Sequence, residues 1–215
     1  MDRSEPVLRV ATPDDAVEVE SLMRESAAGL FPGYYDEQQV ASGVRHVAQA
    51  DPLLLADGTY FVLEADGEMV ACGGWTRRHR LYTGSGEAAD DGRLLDPVTE
   101  PAKVRAMFVR PDWVRRGLGR RIIRECERAA SREGYRRLNL LATLSGVPLY
   151  LACGFEPLEE TEVTLSDGVT MGCVAMEKSI DPLPDVDTPE TGSDARRSRS
   201  HAAQPEFSHP GLSKA

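Results

Sequence analysis

The sequence predicts an α/β (α+β) fold, a sheet covered by helices. Three observations lead there. Segments with apolar residues every four positions interleave with short β-branched and aromatic runs. Turn signals separate adjacent runs closely enough for hairpins. The chain is 41% hydrophobic and 28% charged over 215 residues, enough for one domain with a sizeable core.

The elements follow in order. Residues 7–10 read as a first strand. Thr12 then caps a helix with Pro13 at its first position and acids behind it, and Gly29 is expected to end it. An aromatic loop, 30–35, leads to Asp36, the cap of a second helix. Residues 59–64 and 69–75 are strands joined by Ala65-Asp66-Gly67, a hairpin in which Gly73-Gly74 marks a bulge or a close backbone approach. Residues 79–101 read as a long exposed loop, and 103–109 as a strand stopped by Pro111. In 117–133, Leu118, Ile122, Cys126 and Ala130 recur every four residues, and Gly134 closes the helix. A strand at 137–142, a short helix at 147–153 and strands at 155–165 and 169–178 complete the order βααβββαβαββ.

Composition excludes several classes. No apolar run approaches the roughly 20 residues of a membrane span. No signal-peptide core is visible near the start, so a cytoplasmic protein without membrane contact is expected. Cys72, Cys126, Cys153 and Cys173 are too scattered for a zinc site or a disulfide framework. They are expected to be reduced and mostly buried, and no metal is expected. A net charge of −10 argues against nucleic-acid binding. Residues 181–215 are rich in Pro, Ser and acids without periodicity and are expected to form a disordered tail behind a domain over 1–180.

One stretch stands against this acidic background. Between Arg110 and Arg137 ten arginines accompany four acids, a local charge of +6 centred on V-R-R-G-L-G-R-R, residues 114–121. The stretch follows a strand and opens a helix. A helix start carries about four unpartnered N–H groups and about half a positive charge. Glycines let a ligand approach and permit positive φ. The combination is a phosphate cradle for one compact anion. It is neither a Walker loop nor a dinucleotide fingerprint, since Ile122 stands where the third glycine belongs. Arginines beyond the first turn are expected to form a solvated face, partly paired with Glu125 and Glu127.

Residues 107–123, M-F-V-R-P-D-W-V-R-R-G-L-G-R-R-I-I, resemble the central motif of the GNAT superfamily of acyl-CoA-dependent N-acetyltransferases, [Q/R]-x-x-G-x-[G/A] after a strand ending apolar-x-Val-x-Pro. Residues 149–155, L-Y-L-A-C-G-F, resemble its Y-x-x-x-G-F segment. The resemblance covers about residues 5–180. Val114 departs from the usual Gln or Arg, and Thr143 and Gly146 replace a frequent Asn and Ala.

The resemblance implies a mixed, mostly antiparallel twisted sheet of about six or seven strands with helices on both faces. It implies acetyl-CoA as cosubstrate and direct transfer of acetyl to a primary amine of a small molecule or protein. The pantetheine arm would lie along Met107, Phe108 and Val109, in a gap between strands 103–109 and 137–142. The pyrophosphate would sit on Arg115, Arg116, Gly117, Leu118, Gly119 and Arg120. Tyr150 matches the general acid for the leaving thiolate, and the N–H near Val109 suits the oxyanion. Glu100 and Glu64 are candidate bases, beside a water relayed to a backbone carbonyl. Tyr34, Tyr35 and Trp75 are candidates to line the acceptor pocket. The acceptor is unspecified, and a homodimer is left open. Two other classes compete: a non-catalytic acyl-CoA-binding regulatory module on the same fold, and an unrelated phosphate-ligand binder.

Overall fold

The computed structural model describes residues 4–79 and 92–182, all within one compact unit. Residues 183–215 of the expected tail and 80–91 of the expected loop at 79–101 lie outside the described residues. Among the described residues no helix is long and apolar enough to cross a membrane.

Among the described residues seven strands form one sheet: β1 (Val7–Val10), β2 (Tyr60–Ala65), β3 (Glu68–Thr76), β4 (Ala102–Val109), β5 (Arg137–Thr143), β6 (Glu156–Thr164) and β7 (Thr170–Ser179). The spatial order is β1-β2-β3-β4-β5-β7-β6. All neighbours are antiparallel except β4 and β5. Among the described residues five α-helices accompany them: α1 (Ala16–Leu30), α2 (Glu37–His46), α3 (Pro52–Ala56), α4 (Leu118–Arg132) and α5 (Val147–Ala152).

The alternation of β2 divides the core between the two faces. Phe61 and Leu63 join Ile122, Ile123 and Cys126 of α4 on one face. Val62 joins Val19, Leu22 and Met23 of α1 on the other. The two layers follow from the period of two along a strand and of 3.6 along a helix.

Asp36 caps α2 as expected, accepting from Gln39 N at 2.8 Å while the Gln39 side chain accepts from Asp36 N. One expectation fails and one element was not foreseen. Gly29 does not end α1, which runs on to Leu30. Its glycine is set by packing, because a Cβ there would lie 2.5 Å from Pro111 Cγ. The sequence pattern also misses α3, a five-residue helix capped by Asp51 and too short to show a period.

The decisive irregularity is in β4. Ala106 has φ +51°, and two register steps on β3, Cys72 to Gly74, face three on β4, Phe108 to Arg105. This is a β-bulge. Tyr60 Oη donates to Ala106 O at 2.7 Å and holds it. A Cβ on Gly73 would fall 2.1 Å from Met107 Sδ, so the bulge and that glycine require each other. Past the bulge β4 leaves β5: the two are paired only at Ala102–Leu138 and Lys103–Asn139.

Candidate active site

The divergence of β4 and β5 opens a cleft of about 690 Å³. Its walls are β4 from Val104 to Val109, the start of α4, Leu141 and Thr143 of β5, α5, and a side formed by the end of α1, Phe31 and Tyr34 beyond it, Val47 and Gln49 just after α2, and the β6–β7 hairpin. The volume lies in the range of small-molecule sites.

At one end the chain turns from β4 into α4. Arg115 has φ +65° and Gly117, the N-cap, has φ +81°, with no side chain capping the helix. The first intrahelical bond is Arg121 N to Gly117 O at 3.0 Å. The N–H groups of Leu118, Gly119 and Arg120 therefore have no partner among the described residues and point out of the helix start. Left-handed residues flanking this turn make a concave row of amides suited to an anion.

The two glycines do different work. A Cβ on Gly117 would meet nothing within 4 Å, so its requirement is the positive φ. A Cβ on Gly119 would lie 2.7 Å from Leu149 Cδ2, so its requirement is the close approach of α4 to α5.

The arginines separate likewise. Arg115 and Arg120 line the cleft, and Arg120 also reaches Ala152 O at 3.4 Å. Arg116 lies over the Trp113 ring at 4.7 Å and bonds Asp112 O, so its guanidinium is turned out of the cleft wall. Further along, Arg124 and Arg132 are exposed and Arg128 pairs with Glu125, the expected solvated face. Glu127 pairs instead with Lys178 of β7 at 2.5 Å.

Met107, Phe108 and Val109 all line the cleft. The Val109 N–H donates to Ser26 Oγ at 3.3 Å, so the expected oxyanion donor already has a partner, though a long one.

Tyr150 lies on α5 in the cleft wall, its ring edge-on to Phe155 at 5.6 Å. Its hydroxyl has no hydrogen-bond partner among the described residues. Gly146 makes room for it, because a Cβ there would sit 3.1 Å from the Tyr150 ring. Burial pushes the phenol well above its ordinary value, keeping it protonated. A neutral phenol can donate a proton; it cannot serve as a base near neutral pH.

Other expectations are corrected. Glu100 sits bidentate on Arg93 and accepts from Asp96 N, which lowers its carboxyl to about 2. Glu64 pairs with Arg9 at 2.5 Å. Neither lines the cleft, and both carboxylates are committed to arginine. Trp75 is 1% exposed and packs against Tyr135, because both faces of β3 are covered there. Tyr35 is buried: its hydroxyl donates to Gly172 O at 2.7 Å and accepts from Leu144 N at 2.8 Å. It braces the hairpin β6–β7 and does not line the cleft, whereas Tyr34 does and is half exposed.

The sequence reading missed one charged residue in the wall. Arg105 lines the cleft although it is only 6% exposed, and it faces Asp51 at 3.5 Å. Its signal was a second charge, after Lys103, in the interior of a mostly apolar strand.

A family model described as the acetyltransferase (GNAT) domain matches residues 56–157, the segment that holds the bulged strand, the cradle and Tyr150. The chain carries a GNAT acetyltransferase domain. Solved GNAT structures share the fold. A GCN5-related N-acetyltransferase from Rhodopseudomonas palustris is 21% identical with a TM-score of 0.62, over 84% of this chain and 99% of that one. The PaiA N-acetyltransferase of Thermoplasma acidophilum, solved with coenzyme A, is 14% identical with a TM-score of 0.58, over 82% and 99%. An acetyltransferase from Salmonella typhimurium, solved with acetyl-CoA, is 15% identical with a TM-score of 0.54, over 86% and 100%. No curated protein matches the chain.

Proposed function

We propose that this GNAT domain, spanning about residues 1–180, transfers acetyl from acetyl-CoA directly to a primary amine. The observation that carries the reading is the row of unpartnered amides at the start of α4, opening onto the gap between β4 and β5. The residues fit the cosubstrate. The amides of Leu118, Gly119 and Arg120, with Arg115 and Arg120 beside them, suit a pyrophosphate. The edge of β4 at Met107–Val109 offers strand-like hydrogen bonds to an amide-containing arm. When bound, acetyl-CoA supplies an acetyl group already activated as a thioester.

This chain's residues then have three tasks. The α4 start holds the anion. The walls exclude water from the reacting end. Tyr150 Oη holds the proton for the departing thiolate, whose own proton affinity rises in the same low-dielectric cleft. No Asp, Glu or His lines the cleft among the described residues, so removal of the amine's proton falls to water and backbone carbonyls.

The test is binding followed by turnover. Acetyl-CoA should raise the melting temperature, and a panel of amines should release free thiol from it. Loss of binding on blocking the cradle supports the reading; binding without turnover on any amine would reduce the domain to an acyl-CoA sensor.

A further inference from the structure

We infer that a second, smaller cavity beside the cradle holds the ribose 3′-phosphate of acetyl-CoA, with Arg120, Arg124 and Lys178 as its cations. This rests on the transferase reading above and adds a contact which that reading did not use. The cavity measures about 210 Å³ and is lined by one side of α4, the end of α5 and β7. Arg120 and Ala152 border both this cavity and the main cleft, so the two spaces adjoin near the α4 start.

The charge of the wall suits a dianion. Arg120, Arg124 and Lys178 stand against one carboxylate, Glu127, three charges against one and a surplus of two. The carboxylate is committed, because Lys178 Nζ donates to Glu127 at 2.5 Å. The same ammonium donates to Cys153 O at 2.7 Å, which fixes it in the wall. Arg120 is steadied by Ala152 O at 3.4 Å and by the Cys153 thiol. A phosphate monoester carries a charge of about −1.5 to −2 near pH 7 and offers three acceptor oxygens. The spacing suits it as well. Arg124 follows Arg120 by four residues, about 6 Å further along α4. A single ribose separates the pyrophosphate of the cosubstrate from its 3′-phosphate, a span of that order. A pyrophosphate on the amides of residues 118–120 therefore leaves the third phosphate within reach of both arginines. Arg124 is exposed, so the contact is screened by salt and selects among ligands more than it adds affinity.

The experiment titrates the full chain with acetyl-CoA and with 3′-dephospho-acetyl-CoA by calorimetry, at about 0.05 M and about 0.5 M salt. At low salt acetyl-CoA should bind about 10-fold more tightly, the lower end of the range for hydrogen bonds to charged groups, and the ratio should shrink at high salt. Arg124→Gln should cut the ratio to about threefold or less while the dephospho form binds as before, and Arg124→Lys should restore part of it. Arg132→Gln removes the same charge two turns further along α4, outside both cavities, and should leave the ratio unchanged. Equal affinities of the two forms in the unaltered protein overturn the inference even where Arg124→Gln fails to fold. An equal fall in the ratio for Arg124→Gln and Arg132→Gln overturns it too, since the diffuse field of the helix would then explain the preference. Where both forms bind equally well, only this site is wrong. Where neither binds, the transferase reading fails and the site falls with it.

Discussion

Gly119→Ala probes the seam between the start of α4 and the helix that bears Tyr150. The added Cβ would stand 2.7 Å from Leu149 Cδ2 and 3.3 Å from Leu149 Cδ1, well inside van der Waals contact. Leu149 lines the cleft next to Tyr150, so it must move or α5 must tilt. Overpacking of this size costs about 1–3 kcal/mol. Replacing glycine in a helix recovers up to about 1 kcal/mol. With the full recovery the net loss is about 0–2 kcal/mol. For a domain of this size each kcal/mol lowers the melting temperature by about 2–4 °C. The clash is specific to one side chain, which permits a double-mutant cycle. Leu149→Ala alone should destabilise by opening space, and the double variant should be more stable than the sum of the singles by about 1 kcal/mol or more. The assay is thermal unfolding with and without acetyl-CoA. Additive effects in the cycle would refute the claim that this glycine exists for helix contact.

Four further outcomes are expected. Gly117→Ala meets no neighbour but forces alanine to φ +81°, at a cost of about 1 kcal/mol, and should weaken acetyl-CoA binding by titration more than it lowers the melting temperature. Tyr150→Phe should lower kcat for thiol release about 100-fold with little change in the KM for acetyl-CoA; an unchanged kcat would remove Tyr150 from proton transfer. Tyr35→Phe strands Gly172 O and Leu144 N and should cost about 1–3 kcal/mol in denaturant melts, which a residue that merely touched the acceptor would not do. The Arg9 guanidinium holds the Asp15 carboxyl well below the usual carboxylate range. That stabilisation is complete above the unfolded value, near pH 4, and is lost as pH falls through the folded value. Asp15→Asn should thus lower the melting temperature at pH 7 and converge with the parent in acid.

The sequence carried what repeats and what punctuates. The fourfold recurrence from Leu118 to Ala130 placed α4 to within a residue or so at each end. Asp36 placed α2 through its own cap. The glycines around residue 117 marked the cradle, because few other arrangements place φ above zero at a helix start. What the sequence hid was long-range. Glu64 and Glu100 looked available until distant or looped-back arginines claimed them. Trp75 and Tyr35 looked like pocket aromatics, but strand β3 is covered on both faces and the Tyr35 hydroxyl spans to β7. Arg105 escaped notice because its meaning depends on Asp51, 54 positions earlier and on a helix too short to show in the pattern.

The bulge at Ala106 has a consequence for how the molecule resists itself. Past Lys103 and Asn139, β4 and β5 turn two rows of backbone donors and acceptors toward each other across a gap. Adjacent parallel strands of this length would ordinarily zip shut, and every added rung would favour closure. Tyr60, Gly73 and Met107 lock the kink that prevents it. The domain thus keeps an interrupted sheet with two internal edges, the kind of edge that on a protein's outside recruits stray strands. Here the edges face each other inside a cleft, where only a slender, amide-bearing guest can finish the ladder. A sequence that relaxed Ala106 into an ordinary strand would gain hydrogen bonds and lose its doorway.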